Sequence, residues 1–319
     1  MHIVALDDYQ NAVRSLDAFA KLKDHQVTVF QGTAESEDRL VDMLKDADAV
    51  ILLQQRTALP RRVLERLPKL KMISQTGRNT AHIDLAACKE QGIVVSAGGA
   101  GGVNATAELA WALILSSARH IPAEVAALKA GQWQTTLGTG LAGKVLGIYA
   151  YGRIGSVVAQ VGKAFGMKVV CFGRDGSTAK AREAGFDIAA SRDAFFAEAD
   201  VVSLHIPLSK ETRGLVTAAD LARMKPDAIL VNTSRAGIVE AGALAAAVKA
   251  GRPGRAAVDV YETEPVLNGD HPLLKLDNVI CTPHLGYVEK ATYETLYGAA
   301  ADQVLAFAAG KPVNVVAPS

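Results

Sequence analysis

Cysteine, aromatic residues and net charge are all scarce in this 319-residue chain. Its three cysteines, Cys88, Cys171 and Cys281, stand far apart with neither metal-ligand nor redox spacing. They read as small buried residues in a reducing compartment, and no metal is expected. A formal net charge of +1 supplies no basic field for nucleic acid and no acidic tail. The most apolar helical stretch, near Ala107–Leu115, is too short to span a bilayer. Met1 runs straight into a strand-like His2–Leu6 and then Asp7-Asp8, so no signal peptide is expected. Internal repeats and low-complexity segments are also missing. The expected setting is cytoplasmic.

What the chain does have is length and apolar content. Half its residues are hydrophobic, enough for two domains that each bury a core. Over the first hundred residues, short apolar runs predict strands at His2–Leu6, Gln26–Phe30, Ala49–Leu53, Lys71–Gln75 and Gly92–Ser96. Helical stretches such as Ser36–Lys45, Pro60–Leu67 and Ile83–Gln91 lie between them, which predicts a parallel sheet covered by helices. The densest glycine cluster, Gly98-Gly99-Ala100-Gly101-Gly102, marks the crossing into a second domain. Asn104–Arg119 is apolar nearly all round and needs cover on every side, from the core or from a partner subunit. Helix is expected to continue over Leu115–Gly131. From Gly143 the alternation resumes, with six parallel strands expected in all. Tyr287–Ala309 reads as one long helix and Pro312–Ala317 as an extended tail.

The second domain opens on a βαβ unit. Lys144–Ala150 is a buried strand, Tyr151–Gly155 a tight turn, Ser156–Phe165 a helix and Lys168–Phe172 a second strand. Such a turn aims backbone N–H groups and the positive end of a helix at a phosphate. The dinucleotide fingerprint G-x-G-x-x-G reads Ala150-Tyr151-Gly152-Arg153-Ile154-Gly155, with alanine in the first glycine position. A methyl group is small, so this replacement is expected to cost little. An ordinary strand–helix turn without a ligand is the competing reading. The second strand ends Phe172-Gly173-Arg174-Asp175. Glycine where NAD-binding sheets carry an acidic residue leaves room for a 2′-phosphate, and the Arg174 guanidinium can hold it. This favours NADP, Asp175 keeps NAD open, and Arg174 as a solvated surface charge is the alternative.

Three loops after predicted strand ends carry the remaining chemistry: Thr233-Ser234-Arg235-Ala236-Gly237, Tyr261-Glu262-Thr263-Glu264-Pro265 and Thr282-Pro283-His284-Leu285-Gly286. In doubly wound sheets such loops gather at one face. An arginine, a glutamate and a histidine there suit reduction of a 2-keto acid. The guanidinium holds the carboxylate and polarises the keto oxygen, and the imidazolium delivers a proton with the carboxylate as its partner. Each residue taken singly is more often structural than catalytic.

The motifs LAGKVLGIYAYGRIG, EADVVSLHIPLSKETRGL, MKPDAILVNTSRAGIVE, AAVDVYETEPV and NVICTPHLGY occur in order over about Leu53–Pro312. In these the chain resembles the D-isomer-specific 2-hydroxyacid dehydrogenases, which include glyoxylate/hydroxypyruvate reductases and phosphoglycerate dehydrogenases. The resemblance implies an α/β protein of two doubly wound parallel-sheet domains. One is a flavodoxin-like substrate domain at 1–98 plus 288–319, the other a Rossmann NAD(P)-binding domain at 99–287. It implies Arg235, Glu264 and His284 as the catalytic set and Asp259 as partner of the nicotinamide carboxamide. Gly152, Arg153, Ile154 and Gly155 would form the pyrophosphate turn, with His205, Pro207, Thr212 and Thr233 lining the cofactor. It also implies a homodimer built around 104–119, and a substrate cleft between the domains with hinges near Gly98–Asn104 and Leu285–Glu289.

One departure bears on substrate. Where the family has a G-x-G loop that holds the substrate carboxylate, this chain reads Gly77-Arg78-Asn79. Arg78 either adds a positive charge for an acidic substrate or points to solvent. Gln54, Gln55 and Arg56 are further candidates to face the cleft. The expected activity is hydride transfer between NAD(P)H and a small 2-keto acid, giving the D-2-hydroxy acid. A nucleotide-sensing, corepressor-like binding protein of the same fold is the alternative.

Overall fold

Successive side chains of a strand point to opposite faces, so strands apolar at every position need cover on both sides. Ala49–Leu52 is such a strand, with all four residues fully buried. The computed structural model describes residues 1–99 and 101–316, so the expectations at Ala100 and Ala317 lie outside the described residues. It divides into two compact units, Met1–Gly102 with Tyr287–Ser319, and Val103–Gly286.

In the first unit, β1 (His2–Ala5), β2 (Gln26–Val29), β3 (Ala49–Leu52), β4 (Met72–Gln75) and β5 (Val94–Ala97) form a parallel sheet in the order β2-β1-β3-β4-β5. Val4, Val50, Leu52 and Ile73 enter one core with Leu40, Leu44 and Leu64, under α1 (Glu37–Leu44), α2 (Arg61–Leu64) and α3 (Leu85–Glu90). The alternate residues Ile3, Ala5, Ile51 and Met72 enter the other, covered by 3-10 turns at 13–15 and 17–22 and by the C-terminal helix Lys290–Ala308. Residues 314–316 return to the sheet, where Asn314 and Val316 bond antiparallel to Ala97 and Val95.

Helix starts follow capping chemistry rather than apolar spacing. The Asp84 carboxylate accepts from the Ala87 amide at 2.8 Å, so α3 begins at Leu85 and not at Ile83. Glu289 accepts from Ala291 and Thr292, so the last helix starts at Lys290 and not at Tyr287.

In the second unit, seven parallel strands run β12-β11-β10-β9-β6-β7-β8, one more than the six expected. They are β6 (Val145–Tyr149), β7 (Lys168–Phe172), β8 (Asp187–Ile188), β9 (Val201–Leu204), β10 (Ile229–Asn232), β11 (Arg255–Val258) and β12 (Val279–Cys281). The extra strand, β8, is two residues long, too short to leave a periodic signal. The apolar helix α4 (Val103–Ala118) buries Ala107, Ala110, Trp111, Leu113 and Ile114. Trp111 donates from its indole to the Val158 carbonyl at 3.2 Å.

The helix does not continue to Gly131 as the apolar spacing predicts. It stops at Ala118, His120 turns into the left-handed region at φ 53°, and α5 starts afresh at Ile121–Lys129. Pro122 explains the break, because its ring opposes the carbonyl four residues earlier, at Ala118. Beyond α5 an irregular arm runs to β6, with Trp133 76% and Leu137 93% exposed. The remaining helices are α6 (Arg153–Ala164), α7 (Asp175–Glu183), α8 (Arg192–Glu198), α9 (Ala218–Arg223) and α10 (Ala243–Lys249). Among the described residues, no helix is long and apolar enough to cross a membrane.

Candidate active site

The glycine turn joins β6 to α6. Gly152 is the N-cap of α6, no side chain caps the helix, and a Cβ placed on Gly152 would meet nothing within 4 Å. The first N–H groups of α6 therefore face an open cradle, the arrangement a pyrophosphate requires. Gly155 is constrained from the opposite side, since a Cβ there would lie 2.5 Å from the Ala150 carbonyl oxygen. Ala150 corrects the sequence expectation. It has φ 73°, in the left-handed region, where an L-residue costs about 1–2 kcal/mol. The burden is backbone strain, which the size of a methyl group does not measure.

Behind this turn, His205 donates its main-chain N–H to the Tyr149 carbonyl at 2.9 Å, and its Nε2 meets Ser203 Oγ at 2.9 Å. Burial pushes its pKa down to about 4, so the ring is neutral at pH 7. The loop after it is closed by Thr212, whose hydroxyl donates to the Pro207 carbonyl and accepts from the Ser209 amide, both at 2.7 Å. On the neighbouring strand, Arg174 is the exposed N-cap of α7. A Cβ at Gly173 would crowd Ser177 Oγ at 3.2 Å and Ala150 Cα at 3.4 Å, so this backbone disfavours any side chain at 173.

Arg235, Glu264 and His284 follow β10, β11 and β12, three consecutive neighbours in the sheet. The Arg235 loop is shaped by Asn232, a residue the sequence reading did not single out. Asn232 accepts from the Ser234 amide and donates to the Arg235 carbonyl, both at 3.0 Å. Thr233 is buried, and among the described residues its hydroxyl has no hydrogen-bond partner. Buried hydroxyls are normally satisfied, so this one marks a place where a bound molecule would complete the site.

Glu264 Oε2 lies 2.6 Å from His284 Nδ1, with less than a fifth of either side chain exposed. An ionised carboxylate can only accept, so in that state Nδ1 is the donor of this bond. The other carboxylate oxygen accepts from the Tyr261 amide at 2.9 Å. His284 itself sits at φ 55°. Asp259 is completely buried and grips the same loop. Its Oδ1 accepts from the Thr282 hydroxyl at 2.6 Å and the Leu285 amide at 2.7 Å, and its Oδ2 from the Gly286 amide at 2.9 Å. Burial raises its pKa against the pull of these bonds.

In the first unit, Gly77, Arg78 and Asn79 follow β4. Gln75 donates to the carbonyls of Gln54 at 2.6 Å and Asn79 at 3.2 Å, tying the loops after β3 and β4 together. Asn79 accepts from the Ala81 amide, giving this loop a side-chain brace where the family pattern has a glycine. Arg78 is exposed and borders an open cavity of about 650 Å³ with Asn79, Thr80 and Asp84.

The sequence profile described as "D-isomer specific 2-hydroxyacid dehydrogenase, NAD binding domain" matches residues 111–286. A glyoxylate reductase of Thermococcus litoralis is 37% identical over 290 residues, covering 87% of this chain and 86% of that one. A D-3-phosphoglycerate dehydrogenase of Methanocaldococcus jannaschii is 39% identical over 257 residues, covering 80% of this chain and 48% of that one. The crystal structure of a phosphoglycerate oxidoreductase from Vibrio cholerae superposes with a TM-score of 0.93 at 48% identity, over 97% of this chain and 99% of that one.

The chain belongs to the D-isomer-specific 2-hydroxyacid dehydrogenase family. As a D-2-hydroxyacid dehydrogenase it is an oxidoreductase acting on CH–OH groups with a nicotinamide cofactor. Its two parallel sheets are the family's fold. The open cradle at Gly152 fits that cofactor, and the unpartnered Thr233 hydroxyl is a second point of fit.

Proposed function

We propose that this dehydrogenase reduces a short 2-keto acid, such as glyoxylate or hydroxypyruvate, to the D-2-hydroxy acid. The observation that carries the reading is the 2.6 Å Glu264–His284 pair in the loops after β11 and β12, which run consecutively in the sheet with β10, the strand before Arg235. Arg235 binds the substrate carboxylate and polarises the keto oxygen. Glu264 fixes His284 through Nδ1, and Nε2 gives the keto oxygen its proton. The cofactor supplies the hydride when bound. Gly77, Arg78 and Asn79 belong to the substrate loop, with Arg78 available to an acidic group.

Gly152, Arg153, Ile154 and Gly155 would hold the pyrophosphate, His205, Pro207, Thr212 and Thr233 would line the cofactor, and Asp259 would serve the nicotinamide carboxamide. Crowding at Gly173 and the exposed Arg174 at the head of α7 support NADP over NAD. A homodimer would cover the exposed Leu115, Ile121, Val125, Leu128 and Trp133 of α4, α5 and the arm. A cytoplasmic setting would keep the three free thiols reduced. Burial already pushes those of Cys88 and Cys171 up to about 12.

Steady-state oxidation of NADPH and NADH with glyoxylate tests this reading of the cofactor. Arg174→Ala is expected to raise the KM for NADPH by about 10- to 100-fold, the worth of a charged hydrogen-bonded contact, and to leave that for NADH nearly unchanged. Equal changes for both cofactors would contradict the 2′-phosphate assignment.

A further inference from the structure

The proton-donating pair is held from one neighbouring residue. Tyr261 reaches Glu264 directly and the His284 turn through Thr282, using different atoms. Its main-chain N–H donates to Glu264 Oε1 at 2.9 Å, on the oxygen that His284 does not use. Its phenol donates to the Thr282 carbonyl at 2.9 Å. That same carbonyl accepts from the His284 amide at 2.9 Å, closing a three-residue turn centred on Pro283 that leads into His284. Thr282 O is thus the acceptor that closes the turn into His284, and the phenol is its second donor.

The tyrosine is itself braced. The His271 ring meets it edge-on, with centroids 5.0 Å apart at 74°. His271 is locked in turn, with Nδ1 accepting from the Leu273 amide at 3.3 Å and Nε2 facing Glu262 Oε2 at 3.0 Å. Burial raises the Tyr261 pKa well above the phenol range, so the hydroxyl remains a donor at any working pH.

We propose that Tyr261 is a positioning residue of the Glu264–His284 pair, fixing the carboxylate by its main-chain N–H and the histidine turn by its hydroxyl. Asp259 secures the loop on the far side of His284, at Leu285 and Gly286, and at the Thr282 side chain. Tyr261 is the residue that couples the β11 and β12 loops at the dyad itself. Neither group reaches substrate on this view. The hydroxyl acts by holding Nδ1 and Oε2 at a short, aligned separation while Nε2 delivers its proton.

The inference rests on reading Glu264 and His284 as the proton-donating pair, and the test separates the two. Tyr261→Phe keeps the ring and the main-chain N–H and removes only the hydroxyl. With NADPH and glyoxylate, kcat is expected to fall about tenfold with the KM for NADPH unchanged, as loss of one aligning hydrogen bond implies. In proton NMR of the whole chain, the short Nδ1–H···Oε2 bond should give a downfield resonance that disappears in His284→Ala. That resonance should broaden by solvent exchange in Tyr261→Phe, while the melting temperature holds. An unchanged resonance with wild-type kcat would overturn the tether and leave the catalytic reading standing. Full turnover by His284→Ala would overturn both.

Discussion

His284→Ala is expected to lower kcat for keto-acid reduction by about 10²- to 10⁴-fold, the usual contribution of a positioned general acid. The geometry says why the loss should fall on kcat. His284 Nδ1 is held by a 2.6 Å bond to Glu264, and on the proposed reading Nε2 is the atom that acts at the reacting oxygen. It lies on the β12 loop, away from the glycine turn after β6, so the hold on the cofactor's pyrophosphate should survive. Titration of NADPH fluorescence should therefore give nearly the wild-type Kd beside a collapsed kcat. Parallel loss of binding and turnover would place His284 in cofactor recognition instead.

Arg235→Gln is the second large effect. On the proposed reading, removing the guanidinium takes away the charge that binds the substrate carboxylate and one donor to the keto oxygen. The expected fall in kcat/KM is about 10²- to 10³-fold, comparable to loss of one preorganised donor at a developing oxyanion. Arg235→Lys should recover little, because a single ammonium cannot reproduce the planar fork. The loop should survive either change, since Asn232 holds its backbone on both sides of Ser234 independently of the guanidinium. A lysine variant near wild type would show that only charge matters there.

Much of the architecture was legible in the sequence because parallel strands buried on both faces announce themselves. Ala49–Leu52 is a continuous apolar run, and Val201–Leu204 is interrupted only by the small Ser203. Strand β8 was not legible, since two residues carry no period. The break at His120 had a signal in Pro122, masked by the apolar residues on both sides. Arg235, Glu264 and His284 stand out because each is polar, in a loop directly after an apolar run. The 2.6 Å contact of Glu264 with His284 and the role of Asp259 as a loop anchor are properties of three-dimensional closure. Tyr261 was hidden for a different reason: an aromatic beside a strand end reads as core. The strain at Ala150 escaped because spacing fixes where a turn occurs and says nothing of the sign of φ.

The most direct test of the central claim follows cofactor absorbance with purified protein. NADPH and NADH are run in parallel against glyoxylate, hydroxypyruvate, pyruvate and phenylpyruvate, with His284→Ala as the control. Oxidation of NADPH by at least one of these acids, abolished in the control, is the predicted result. Tight cofactor binding with no turnover on any of them would contradict it and point to a nucleotide-sensing protein built on the same fold.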